Sequence, residues 1–384
     1  MNICLVAHFA FGALIGGASG HVGGVERQTS LMAKWLAAKG HNVTLLTWDE
    51  GQPKDCIIDR VRVIKMCKRQ AGLWGVRFFH PRWTSLNKAL ALADADIYYQ
   101  NCGEYITGQV AFWCRWQRKK FVYSTANDVD CDPKLPIMSL REKILYRYGI
   151  NKCDRIIAQT TKQQSMLQEG FGLPSTVLPM PCSGASPTDY RPPTFPNGKP
   201  FHVGWAARIS KEKRLDFLLD IARALPDVIF EIGGAPSAGG EDYAQPIIDA
   251  ARSLPNIILH GRVPREDMPK FYERLHLFCC TSAYEGFPNT FLEAWSHGLP
   301  IVSTFDPDGL ITEQSLGRVA IDTTTLIYGI ESFMHSPGEW QLASQRVRDY
   351  YLQNHTVDEV MVRFERLFLE VLAKSQTNTV KGEP

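Results

Sequence analysis

Short apolar runs alternate along this chain with longer segments whose apolar residues recur at helical spacing, a rhythm that predicts strands and helices in turn. Strands are expected at residues 2–7, 42–48, 96–100, 121–125, 155–159 and 176–178, with helices such as residues 25–39 between them. Each run is hydrophobic nearly throughout instead of alternating, which marks strands buried on both faces of a parallel sheet covered by helices. Between residues 182 and 200 the rhythm stops. Pro187, Pro192, Pro193, Pro196 and Pro200 crowd this stretch with Gly184 and Gly198, so residues 183–199 read as a linker. Strand-like runs then resume at 201–206, 228–233, 256–260, 275–280 and 300–303. Two α/β units are therefore expected, residues 1–182 and 200–354, each a Rossmann-like doubly wound sheet, facing one another across a cleft. An amphipathic segment at 355–373 predicts a final helix, and the polar tail from Lys374 is expected to fray.

The most informative string is Glu285-Gly286-Phe287-Pro288-Asn289-Thr290-Phe291-Leu292-Glu293. It follows a short apolar run and precedes a segment of helical spacing, so it occupies a strand-to-helix turn. Proline is favoured in the first turn of a helix. Pro288 is accordingly expected to start a helix reaching Gly298, with the N–H groups of Asn289, Thr290 and Phe291 facing outward as an anion site. Glu293 then lies about four residues inside the helix, roughly 6 Å along its axis at about 1.5 Å per residue. That offset suits a ribose whose diphosphate rests on the helix end. Glu285 sits on the other side of the start, where a group carried by the diphosphate would project.

Upstream, the strand at 201–206 runs into Ala207-Arg208-Ile209-Ser210-Lys211-Glu212-Lys213-Arg214. Cations at the carboxyl end of a parallel strand are placed to hold phosphates. Arg208 and Lys213 are the candidates, while Lys211 and Arg214 are expected to be surface charges. In the first half, His21-Val22-Gly23-Gly24-Val25-Glu26-Arg27 opens the first long helix, and glycine there lets a backbone N–H approach a phosphate or sugar closely.

Taken together, these motifs resemble the retaining glycosyltransferases of family 4, which carry a Glu-x7-Glu motif on the two-domain GT-B fold. The resemblance implies a retaining enzyme that moves a sugar from a nucleotide-sugar, UDP-sugar by the commonest case, to a hydroxyl acceptor such as a lipid-linked or other glycan of a cell-surface polysaccharide. By the same resemblance Arg208 and Lys213 would grip the donor diphosphate, Glu285 the donor sugar and Glu293 the ribose. Gly23, Gly24, Gly286, Phe287, Asn289, Thr290 and Phe291 would line the nucleotide-sugar, and the Arg262-Val263 backbone would pair with the base. Family members often have His-Asp where this chain has Asn127-Asp128, which are assigned to the acceptor side. The last segment, 355–384, would cross back to the first domain. The same fold also hosts nucleotide-sugar epimerases, and an inactive nucleotide-sugar-binding subunit is a third reading.

Composition narrows the picture further. At 45% hydrophobic and 21% charged residues the chain is an ordinary globular one, with no apolar run near the length of a membrane span. The first apolar stretch lacks a basic flank and contains His8, so it reads as a strand and not a secretion signal. Ten cysteines without a Cys-x-x-Cys pair suggest buried thiols in a reducing, cytoplasmic setting, with neither zinc site nor disulfide framework. Asp128-Val129-Asp130 imitates an Asp-x-Asp metal site, but cations at the second strand end make a metal unnecessary, so no cofactor is expected. Net charge is +2, yet Lys and Arg outnumber Asp and Glu by 23 to 14 in residues 1–180 and are outnumbered 19 to 26 thereafter. Rings interleave with cations at residues 77–83 and 112–120. This basic half is expected to meet an anionic membrane surface peripherally, through Phe112, Trp113, Trp116, Arg118, Lys119 and Lys120, with no nucleic acid partner.

Overall fold

A computed structural model of the chain describes residues 1–16, 23–186, 188, 190–236 and 239–380, with side chains described as far as Lys374. It divides into two compact units, residues 1–181 with 357–384, and residues 182–356.

The first unit is built on eight strands: β1 (Asn2–Val6), β2 (Asn42–Thr47), β3 (Asp55–Ile58), β4 (Val61–Lys65), β5 (Ile97–Asn101), β6 (Lys120–Ser124), β7 (Arg155–Ala158) and β8 (Thr176–Val177). Their order is β3-β4-β2-β1-β5-β6-β7-β8, and all neighbours are parallel except β3 and β4. Ile3 and Leu5 face one apolar layer and Cys4 and Val6 the other, the period of two that a pleated strand imposes. Helix Gly24–Ala38 and the last helix, Val357–Val380, cover the first layer. The last helix is held there by Trp35 Nε1 donating to Asp358 Oδ1 at 2.6 Å and by Phe364 and Phe368 packed edge-on to Tyr99. On the other face, helices Tyr105–Trp116 and Leu140–Lys152 cross closely. A Cβ on Gly108 would lie 2.2 Å from the Leu145 carbonyl oxygen, so only glycine allows that approach.

The second unit has six parallel strands, β9 (Phe201–Ala206), β10 (Val228–Gly233), β11 (Ile257–Gly261), β12 (Leu277–Cys280), β13 (Ile301–Ser303) and β14 (Gly317–Val319), in the order β11-β10-β9-β12-β13-β14. Winding starts at β9, moves outward to β11, and returns to β12 on the opposite side. The carboxyl ends of β9 and β12 therefore flank a topological switch point, where open α/β sheets leave a crevice for ligands. Residues 183–199 belong to this unit. The Gly184 N–H donates to Tyr351 Oη at 3.0 Å and the Ala185 N–H to Ser296 Oγ at 3.1 Å.

Three expectations about elements need correction. The β3–β4 hairpin and β14 did not stand out in the apolar pattern. Pro288 is the cap of the motif helix and not its first residue: the helix is Asn289–Ser296, and Pro288 has φ −67°, ψ 119°. It also stops before Gly298, whose φ of +73° ends the turn.

Candidate active site

Two loops meet at the β9/β12 switch point. Trp205 Nε1 donates to Thr281 Oγ1 at 3.0 Å, the Thr281 hydroxyl donates to the Lys213 carbonyl at 2.7 Å, and the Ala283 N–H donates to the Glu212 carbonyl at 2.8 Å. This stitching brings two of the sequence candidates together: Lys213 Nζ donates to Glu285 Oε1, which also accepts from Ser282 Oγ at 2.7 Å. Both side chains are largely buried, at 16% and 17% exposure. Arg208, at the end of the same strand, is exposed and has no ion pair among the described residues. Arg214 is not the surface charge expected. Its Nε donates to the Thr281 carbonyl at 2.6 Å and its Nη2 to the Ser282 carbonyl at 3.1 Å and Thr304 Oγ1 at 2.9 Å, while the guanidinium lies 4.4 Å from the Phe217 ring centre.

Glu293 lies in the helix that follows, at 4% exposure. Arg265 Nη1 donates to its Oε1 at 2.5 Å and Tyr272 Oη to its Oε2 at 2.9 Å. Burial and the adjacent Glu293 carboxylate push the Tyr272 phenol well above its ordinary pKa, so it stays a donor. Tyr272 in turn stacks on His297, which burial keeps toward its neutral form. Two donors, one to each carboxylate oxygen, therefore fix the orientation of Glu293. Arg265 and Tyr272 carried no sequence signal, because their partner lies 28 and 21 residues away.

At the helix start, the Phe291 N–H donates to the Pro288 carbonyl at 3.0 Å and is not turned outward as expected. Gly286, Asn289 and Thr290 are half-buried in the turn. The Phe287 ring packs against Trp295 and His355, with centroids 6.2 and 5.4 Å away, which fixes the turn from below. The base-pairing candidates Arg262, exposed, and Val263, half-buried, follow Gly261 at φ +64°. The preceding His260 bonds buried Glu231, which accepts from His260 Nε2 through one oxygen and pairs with His202 Nδ1 at 2.9 Å through the other. A lone glutamate in the apolar run Val-Ile-Phe-Glu-Ile-Gly was the signal that could have found it.

The remaining candidates belong to the first unit. His21 and Val22 lie outside the described residues. The Gly23 N–H donates to Glu26 Oε2 at 2.9 Å, capping helix Gly24–Ala38 and engaging the amide expected to face a ligand. After β6, Asn127 Oδ1 caps a short turn by accepting from the Asp130 N–H at 3.2 Å, and Asp128 takes Lys162 Nζ at 2.6 Å and Gln163 Nε2 at 3.2 Å. Asp130, 1% exposed, instead accepts the Ala126 N–H at 2.7 Å, so the two aspartates serve different partners. Sequence reasoning gave His8 no functional place. It stacks on Trp48 and pairs with Glu104 at 3.0 Å; its buried Nε2 has no partner among the described residues, as is true of Gln100 Oε1 and Asn101 Oδ1 at the end of adjacent β5.

Family matches follow the two units. "Glycosyltransferase Family 4" matches residues 22–181 and "Glycosyl transferases group 1" matches residues 188–314, the stretch holding Arg208, Lys213, Glu285 and Glu293. The chain belongs to glycosyltransferase family 4. This family 4 glycosyltransferase is 29% identical over 177 residues to the UDP-N-acetylglucosamine–peptide N-acetylglucosaminyltransferase GtfA subunit of Streptococcus pneumoniae, a match spanning 43% of this chain and 33% of that protein. Across the curated relatives it matches, the glycosyltransferase spans only 33% to 43% of their length. Its architecture is similar to sucrose-phosphate synthase from Thermosynechococcus elongatus, with a TM-score of 0.77 at 15% identity over 97% of this chain and 99% of that one. Anabaena HepE in complex with UDP aligns at 0.75 and 16% identity, over 96% and 100%. At such identities these likenesses establish the GT-B fold alone.

Proposed function

We propose that this glycosyltransferase transfers a hexosyl group from a UDP-sugar to a hydroxyl of a lipid-linked or other glycan, with retention at the anomeric carbon and without a metal. The observation that carries the reading is the Lys213–Glu285 pair at the switch point, with oriented Glu293 eight residues beyond. Donor binding parts that pair. Lys213 turns to the diphosphate beside Arg208, and Glu285 receives sugar hydroxyls in exchange. Glu293 accepts from the ribose. As the bond from the anomeric carbon to phosphate oxygen breaks, both cations stabilise charge on the departing UDP. The acceptor oxygen bonds to the anomeric carbon on the same face, and its proton passes to the departing phosphate oxygen, so no protein nucleophile is needed. Arg208 and Lys213 supply the charge a metal would, and Asp128 and Asp130 take different partners. The complexes of HepE with UDP and with UDP-glucose support UDP as the carrier. The test is UDP release with and without glycan acceptor, with the product's anomeric configuration read by NMR. Acceptor-dependent release and a retained anomer are expected. Release of no UDP while the sugar is epimerised, or binding with no turnover, would favour an epimerase or an inactive subunit.

The acceptor class is supported by the surface of the first unit. Trp74, Trp116 and Leu140 are 90%, 71% and 76% exposed, with Phe79, Phe112 and Ile144 also open, among exposed Arg115, Arg118, Arg141 and Arg147. Three of the expected contributors fall away. Trp113 is buried against Tyr98, and Lys119 and Lys120 are paired with Asp94 and Asp154. No helix among the described residues is long and apolar enough to cross a membrane. Rings and cations of this kind dock peripherally on anionic lipid at the cytoplasmic face, each cation contributing about 1 kcal/mol near the surface. Co-sedimentation should require anionic vesicles, weaken in high salt, and fall when Trp74 and Trp116 become Ser. Equal recovery with neutral vesicles, or none with either, would point to a soluble acceptor.

A further inference from the structure

Arg214 stands at φ +46°, ψ 55°, a left-handed conformation that favours glycine and burdens any side chain with a Cβ. What holds it there is its own guanidinium. It spans from the cap of helix Leu215–Ala224 to the carbonyls of Thr281 and Ser282 and to the Thr304 hydroxyl, which itself donates to the Ser282 carbonyl at 2.8 Å. Those two carbonyls belong to the segment leading into Glu285, and the same segment is tied from the other side by Thr281 to the Lys213 main chain. Arg214 therefore follows one member of the Lys213–Glu285 pair in sequence and grips the peptide that carries the other.

We propose that Arg214 is a positioning residue that fixes the Glu285 loop against Lys213, its left-handed backbone being the conformation that aims the guanidinium across the switch point. The proposal rests on the reading above, in which Lys213 and Glu285 face the donor. A residue that served only to fill space there would be better replaced by glycine, which takes this conformation without strain. A clamp would not. Lysine keeps the charge but offers a single donor point in place of the planar fork, so it should restore only part of the grip.

The experiment uses the full chain and its Arg214→Gly and Arg214→Lys variants. Amide hydrogen exchange of residues 280–286, melting temperature, UDP affinity, and release of UDP from the accepted UDP-sugar in the presence of glycan acceptor are measured with and without millimolar methylguanidinium. For Arg214→Gly the expectation is at least tenfold faster exchange in 280–286, a melting temperature within about 3 °C of the parent, UDP affinity within threefold, and kcat lowered at least tenfold with little change in KM. Methylguanidinium should recover part of both exchange protection and kcat, and Arg214→Lys should fall between. Unchanged exchange in 280–286, or parental kcat in Arg214→Gly, overturns the clamp. Glu285→Gln separates the two levels of the argument. If that variant turns over like the parent, or the parent releases no UDP from any UDP-sugar in the presence of a glycan acceptor, the donor-site reading fails, while the exchange arm still decides whether Arg214 holds the loop.

Discussion

Glu293→Gln removes a charge and almost no volume from a side chain that is 4% exposed, so its consequences are electrostatic. Arg265 then faces an amide in place of a carboxylate. Breaking a fully buried pair costs about 3–5 kcal/mol, and an exposed one contributes under about 1 kcal/mol. Arg265 is 38% exposed, which discounts the pair to about 1.5–2 kcal/mol. In a unit of this size that lowers the melting temperature by about 5 °C, at roughly 2–4 °C per kcal/mol. A separate loss falls on the ligand. Hydrogen bonds from a charged group to ribose hydroxyls contribute about 1.5–3 kcal/mol and from a neutral amide about 0.5–1.5, so the dissociation constant for UDP should rise roughly fivefold to tenfold in Glu293→Gln and roughly tenfold to a hundredfold in Glu293→Ala. Calorimetric titration of UDP gives the second number and thermal denaturation the first. Combined with Arg265→Met in a double-mutant cycle, stability should show a coupling of about 1.5–2 kcal/mol. A UDP affinity within twofold of the parent, with the stability loss as calculated, would make Glu293 a structural partner of Arg265 and remove it from the ribose. Additive stability effects would show instead that the pair contributes nothing.

Further outcomes follow from the same geometry. On the proposed reading, Arg208→Ala and Lys213→Ala should each lower kcat by roughly 100-fold or more, since each would remove a donor to the leaving diphosphate, and activity should survive EDTA; abolition by EDTA with rescue by manganese would restore Asp128 and Asp130 as metal ligands. Glu285→Gln should spare UDP binding and slow turnover of the UDP-sugar, and equal losses for both would refute the division of roles between the two glutamates. Burial pushes Asp130 up to about 6, above its unfolded value of about 3.9, so its contribution is present at low pH and is lost as pH rises through 6, by about 3 kcal/mol in all. Urea unfolding between pH 4 and 7 should therefore show a decline that Asp130→Asn flattens; an unchanged slope would place the ionised carboxylate comfortably in the fold.

The βα rhythm was legible because parallel strands buried on both faces must be apolar throughout, and that property is local. β3 and β4 escaped because their turn, Asp59-Arg60, has φ of +48° and +66° without the Asn-Gly signature such turns normally carry. Arg214 was misread for the same reason: nothing in a run of charges announces a left-handed backbone. The Glu285–Glu293 spacing was readable because both residues hang on one turn and one helix. Pro288 was placed one residue too far inside, since a prolyl cap and a prolyl first residue look alike in sequence. The grip of Arg265 and Tyr272 on Glu293 and the pairing of His202 and His260 with Glu231 are tertiary, joining residues that only the packed sheet brings within hydrogen-bonding distance.

The central claim, a metal-free UDP-sugar site at the β9/β12 switch point, is tested most directly by thermal shift in EDTA across UDP-glucose, UDP-N-acetylglucosamine, GDP-mannose and ADP-glucose. A ligand at 100 times its dissociation constant stabilises by about 2.7 kcal/mol, so at least one UDP-sugar should raise the melting temperature by about 5 °C or more, and Glu293→Ala should cut the shift by about half or more. No shift with any of the four, or a shift seen only when a divalent ion is added, would contradict the account.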